Sequence, residues 1–166
     1  MRKQKKLYDI IKQNNKDLSL FFIVGIFSHS LNTNNGLESL KTALIKPKAL
    51  IEIIRLEEFC LNEINAKNKN TFFYQLHKNS FFDVEAFNKL ILNCKKLIEL
   101  YSTYGITNNY KTILKQLKDK FFYVTFLFYC HLNPNDLFAI KNYADIENNI
   151  TLYFDDIRDV LNDMEL

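Results

Sequence analysis

The residues best suited by type and spacing to do chemistry lie near the C-terminus, in the run Asp155-Asp156-Ile157-Arg158-Asp159. On a helix Asp155 and Asp159 fall one turn apart, so their carboxylates could offer hard oxygen ligands to a magnesium-sized cation. The other adjacent pair of reactive type is Cys130-His131, a nucleophile beside a base. Neighbours on a helix point about 100° apart. The pair therefore reads as a small buried thiol next to an imidazole at a helix C-terminus, where positive charge suits the dipole. Cys60 stands between Phe59 and Leu61, Cys94 lies on an apolar helical seam, and both read as core.

The aspartate run resembles the DDxxD box with which isoprenoid synthases, themselves all-α, hold magnesium ions against a diphosphate. The resemblance is confined to those five residues. No second acidic box occurs, and 166 residues are far fewer than such enzymes have. At 100° per residue, Asp155, Asp156, Asp159 and Asp163 instead fall opposite Ile150, Phe154, Ile157 and Leu161, which makes them an acidic ridge on an amphipathic helix. Other sites are harder to build. Gly25, Gly36 and Gly105 stand alone, whereas a phosphate-cradling loop needs several glycines close together. His29, His77 and His131 are far apart, and no Cys-x-x-Cys or His-Glu-x-x-His occurs. No metal and no cofactor is expected. The balance leans against an enzyme, and one with a pocket assembled from distant segments is the form it would take.

Charge is polarised along the chain. The net value is +3, yet residues 1–132 carry 20 Lys and Arg against 11 Asp and Glu, while 133–166 carry two against eight. A second charged stripe, Lys111, Lys115 and Lys118, runs at helical spacing and opposes the acidic ridge in sign. Arginine occurs only at positions 2, 55 and 158, which disfavours the bidentate phosphate and base contacts of a dedicated nucleic-acid reader.

The N-terminus combines basic Arg2, Lys3, Lys5 and Lys6 with an apolar run from Leu18 to Phe27 and then Ser28-His29-Ser30, the order of a signal peptide. Asp9, Asp17 and the helically spaced Leu7, Ile10 and Ile11 argue instead for a short basic helix followed by a buried one. The other apolar run, Phe121 to Leu132, is about a dozen residues where a membrane span needs about 20. Both runs are read as central helices buried all round. An odd number of scattered cysteines favours a reducing compartment, so a cytoplasmic protein without a membrane span is expected.

The elements that must carry these residues follow from apolar spacing and punctuation. Helices are expected over 2–13, 18–31, 37–46 and 47–65, with Pro47 separating the last two because the residue before a proline disfavours helical geometry. Lys69-Asn70-Thr71-Phe72-Phe73 recurs as Lys78-Asn79-Ser80-Phe81-Phe82, read as two helix starts capped by Thr71 and Ser80, each planting a Phe pair in the core. Val84, Phe87, Ile91, Cys94, Ile98 and Tyr101 mark a helix over 83–103 that Gly105 ends. Thr107 or Asn108 caps the next, with Ile113, Leu114, Leu117, Phe121, Val124 and Phe128 inward. A short helix from Pro134 to Tyr143 and a last one over 147–163 complete the chain. At this length one core can bury roughly 70% of the surface of the unfolded chain. The expectation is an all-α protein: one irregular bundle of seven or eight helices over residues 1–166.

By elimination, the sequence points to a non-catalytic module that binds another protein. Its form is a stoichiometric inhibitor of the immunity-protein or antitoxin type, meeting a basic surface through Asp155, Asp156, Asp159 and Asp163. The alternative is a nucleic-acid-associated accessory protein using Lys111, Lys115 and Lys118 on the helix 108–120 together with the basic N-terminus. The partner's identity and the oligomeric state are not encoded in any motif.

Overall fold

The computed structural model describes residues 36–164, with side chains from Lys48 onward. The helices expected over 2–13 and 18–31 and the basic N-terminus lie outside the described residues. The chain groups into two compact units, 1–48 and 49–166, and the described side chains belong almost wholly to the second.

Among the described residues every regular element is helical: α1 Gly36–Asn65, α2 Phe72–Asn79, α3 Val84–Tyr104, α4 Tyr110–Leu132, the single turn α5 Tyr143–Ile146, and α6 Ile150–Asp163 entered through a 3-10 turn, Glu147–Asn149. The protein is all-α, as its periodicity requires. Five of these helices span eight residues or more. The expected seven or eight covers the full chain, two of them outside the described residues.

Pro47 does not break the chain into two helices, because α1 runs through it from Gly36 to Asn65. Proline lacks the N–H that would bond the carbonyl of Ala43, a loss of one helical hydrogen bond. Good helix formers on both sides, Ala43, Leu44 and Lys46 before it and Lys48, Ala49 and Leu50 after it, carry the helix across. The boundary between the compact units falls one residue beyond this proline.

Of the two expected hydroxyl caps, one forms. Thr71 caps α2, its hydroxyl accepting the Tyr74 N–H at 3.4 Å. Ser80 closes the same helix instead, with φ +53° and the Phe81 N–H bonded back to the Gln75 carbonyl at 3.1 Å. The cap of α3 is Asp83, whose carboxylate accepts the Ala86 N–H at 2.9 Å. Between them the chain is not helical and finds its backbone partners elsewhere. The Lys141 N–H donates to the Ser80 carbonyl at 2.8 Å, and the Asn142 amide grips both backbone groups of Phe82, at 2.9 and 3.0 Å. Phe82 is thereby driven into the core, while Phe81 is left exposed.

The helix expected from Pro134 to Tyr143 is a loop. Asn133 and Asp136 turn their side-chain oxygens onto the N–H groups of Asn135 and Phe138, at 3.1 and 2.8 Å, and so satisfy locally what a helix would have satisfied. The expected last helix likewise begins three residues late, after the 3-10 turn.

The core centres on aromatic rings. Phe72, Phe82 and Phe87 meet with centroids 5.1–5.2 Å apart, Tyr153 of α6 lies 5.0 Å from Phe82, and Phe128 of α4 joins Phe82 to Phe154. Leu56, Leu90, Ile113, Leu117 and Val160 fill the spaces between, so α6 is held against α3 and α4.

Candidate functional site

Helix α4 departs from the expectation of burial all round. Its inner face, Ile113, Leu114, Leu117, Phe121, Val124 and Phe128, is buried as its spacing requires. Its outer face carries large apolar side chains in solvent: Phe122 is 63% exposed, Phe126 55%, Tyr129 66% and Leu132 63%. An apolar run is buried all round only if other elements enclose it, and among the described residues they enclose one side.

These outer residues continue the lysine stripe. Lys111, Lys115, Lys118, Phe122, Phe126 and Tyr129 follow one another in steps of four, three, four, four and three. At 100° per residue they fall within an arc of about 80° and span about 27 Å of helix. Lys111 and Lys115 are exposed and Lys118 half-buried. The stripe is thus basic over its first two turns and aromatic over its last two, with Leu137 fully exposed in the loop beyond. Large apolar side chains exposed on successive turns single out this face as the candidate site. The sequence held the signal: the lysine ladder need only be continued past residue 118 at the same spacing.

Beside the stripe, Tyr123 stacks on Phe126 and pairs its hydroxyl with Nδ1 of His77 on α2 at 2.8 Å. Burial, with Lys78 and Lys120 nearby, pushes the His77 imidazole below its ordinary value. Lys120 turns away from the stripe and lies over the Phe73 ring, 5.8 Å from its centroid.

The acidic ridge of α6 stands on the surface with its charges largely matched. Asp156 accepts from Lys95 of α3 at 2.8 Å, and Arg158 lies between Asp155 at 2.9 Å and Asp159 at 3.8 Å. Asp163 is exposed at the end of the helix. The hydrogen bond to Asp156, with Asp159 and Asp163 behind it, raises the Lys95 ammonium above its ordinary value. The two carboxylates with the spacing of a cation box therefore flank a guanidinium.

Cys130 and His131 diverge. Burial, with the Asp136 carboxylate nearby, pushes the Cys130 thiol up. His131 accepts the Ile140 N–H on Nδ1 at 3.1 Å and lies against the Tyr143 ring, so it anchors the 133–142 loop. Cys60 and Cys94 are both buried and in contact with each other, which raises the Cys94 thiol well above its ordinary value. Among the described residues no three His, Cys, Asp or Glu side chains converge as a metal ion would need.

Two buried carboxylates on α1 were not foreseen from the sequence. Glu57 accepts from the Tyr101 hydroxyl at 2.7 Å, the Asn109 amide at 2.8 Å and the Thr107 hydroxyl. The Tyr101 phenol is pushed far above its usual value by burial and by Glu57. Glu63 accepts the Phe72 N–H at 2.9 Å, completing the cap of α2, and its burial raises it to about 7. Both lie at helix junctions and fasten the fold rather than opening on solvent. Among the described residues no helix is long and apolar enough to cross a membrane.

No family model matches the chain, no curated protein matches it, and no solved structure matches its fold.

Proposed function

We propose that the protein is a non-catalytic binding module whose ligand is another protein. The observation that carries this is the outward stripe of α4, where Phe122, Phe126, Tyr129 and Leu132 stand exposed in a row. Aromatic side chains in solvent forgo about 1.5–3 kcal/mol each of burial, and a partner that covers them recovers it. Aromatic anchors are also the residues that dominate binding energy at protein interfaces.

The form proposed is a stoichiometric inhibitor of the immunity-protein or antitoxin type, which needs a rigid surface and no reaction chemistry. Asp155, Asp156, Asp159 and Asp163 supply its second contact, a rim that steers a basic partner. Lys111, Lys115 and Lys118, lying in line with exposed aromatics, support nucleic acid as the second reading.

A photo-crosslinking amino acid placed at Phe126 in the native host, with a second variant carrying it at Asp155, separates these readings. Protein adducts at Phe126 are expected. Adducts of RNA or DNA alone would replace the reading with the second one, and no adduct at either position would end both.

A further inference from the structure

The order of side chains along the α4 stripe says more than that it binds. The geometry points to one kind of occupant: an amphipathic helix of a partner protein, apolar over Phe122, Phe126 and Tyr129, and acidic over Lys111 and Lys115. The inference rests on the protein-binding reading above and specifies the partner's chemistry.

Three features carry it. Steps of four, three, four, four and three are those of a helix-packing seam, in which side chains of one helix fill the gaps between side chains of another. The apolar half ends in Leu132 with Leu137 beyond it, aliphatic groups that a packed helix can use and a stacked base cannot. Charge and apolarity are also segregated: lysines occupy the first half, and Phe121 to Leu132 contains no Lys or Arg at all.

A nucleic-acid strand carries a phosphate at every nucleotide and needs cations along its whole track. Half of this track has none, and Asp136 lies just past its end. A peptide can segregate its own charges to match. Complementary ends then fix the register, while the apolar half supplies the affinity.

The test uses the full chain and three labelled helical peptides. The first carries leucines on a three-four seam in one half and glutamates on the same seam in the other. The second has lysines in place of the glutamates. The third is a scramble of the first without the seam.

The first peptide is expected to bind at least tenfold more tightly than either of the others, and Phe126→Asp, which alters an exposed residue, is expected to abolish that binding with the thermal melt unchanged. Lys111→Glu with Lys115→Glu reverses the preference toward the lysine peptide, a gain that misfolding cannot imitate. Equal binding of the scramble, or binding indifferent to the stripe variants, overturns the inference. So does stripe-dependent binding of a thymidine oligonucleotide or of phosphatidylserine vesicles in place of the peptide. If protein adducts form at Phe126 in the host while the peptides fail to discriminate, the binding function stands and the helical, acidic partner falls.

Discussion

Phe121 and Phe122 are adjacent on one helix, and one is fully buried while the other is 63% exposed. The same pairing recurs about two turns on, where Phe128 is enclosed by Phe82 and Phe154 and Tyr129 faces solvent. Side-chain type therefore says little about role on α4. What decides it is the neighbouring surface: among the described residues, α2, α3 and α6 present rings and aliphatic groups to the inner face, and none of them covers the outer one. The inner aromatics have contributed their burial to folding, and the exposed ones have not.

The largest expected effect breaks this comparison directly. Phe121→Ala leaves a cavity against Phe73, 5.9 Å away between centroids, and should destabilise the fold by about 3–5 kcal/mol in urea unfolding. Phe122→Ala should change stability by less than about 0.5 kcal/mol. A comparable loss from Phe122→Ala would mean that the outer stripe is already covered within the molecule.

A polar counterpart of the comparison sets Glu63, inside, against Asp156, outside. Glu63 is enclosed at the junction of α1 and α2, with Lys89 and Asp83 acting on it from a distance, and burial raises it from 4.5 to about 7. The native state thus keeps a proton that the unfolded chain releases from pH 4.5 upward. Stability is full below that pH, falls as pH rises from 4.5 to 7, and levels beyond, by an amount on the order of 3 kcal/mol. Glu63→Gln keeps an oxygen for the Phe72 N–H and cannot ionise. The difference in unfolding free energy between the wild type and this variant should therefore move with pH across that window alone. A difference that stays flat from pH 4 to 8 would show that Glu63 is ionised throughout.

Much of this architecture was legible in the sequence, and the misses have physical causes. The inner face of α4, the span of α3 and the Gly105 stop at φ +94° follow from apolar period and one glycine, both local properties. Ser80 was misplaced because a hydroxyl three residues before an acid fits a helix start, while its actual role depends on the 140–142 loop, far away in sequence. Pro47 was read as a break because its bias is local and the helix formers around it outweighed that bias. The acidic ridge was legible as a face, but its partner Lys95 comes from α3, and no period within α6 reveals a cation on another helix. The exposed aromatics were hidden by composition, since an apolar dozen looks buried until the surrounding elements are known.

The smallest effect comes from that outer ion pair. Lys95 and Asp156 meet at 2.8 Å with their side chains 40% and 37% exposed. Water and salt reach both groups, so the attraction is offset by hydration and by the cost of fixing two mobile side chains. Lys95→Met with Asp156→Asn, measured as a double-mutant cycle, should give a coupling below about 1 kcal/mol that fades by about 1 M salt. If the coupling were several times larger and indifferent to salt, the ridge would be part of the scaffold, and its carboxylates would be committed within the molecule rather than free to meet a partner.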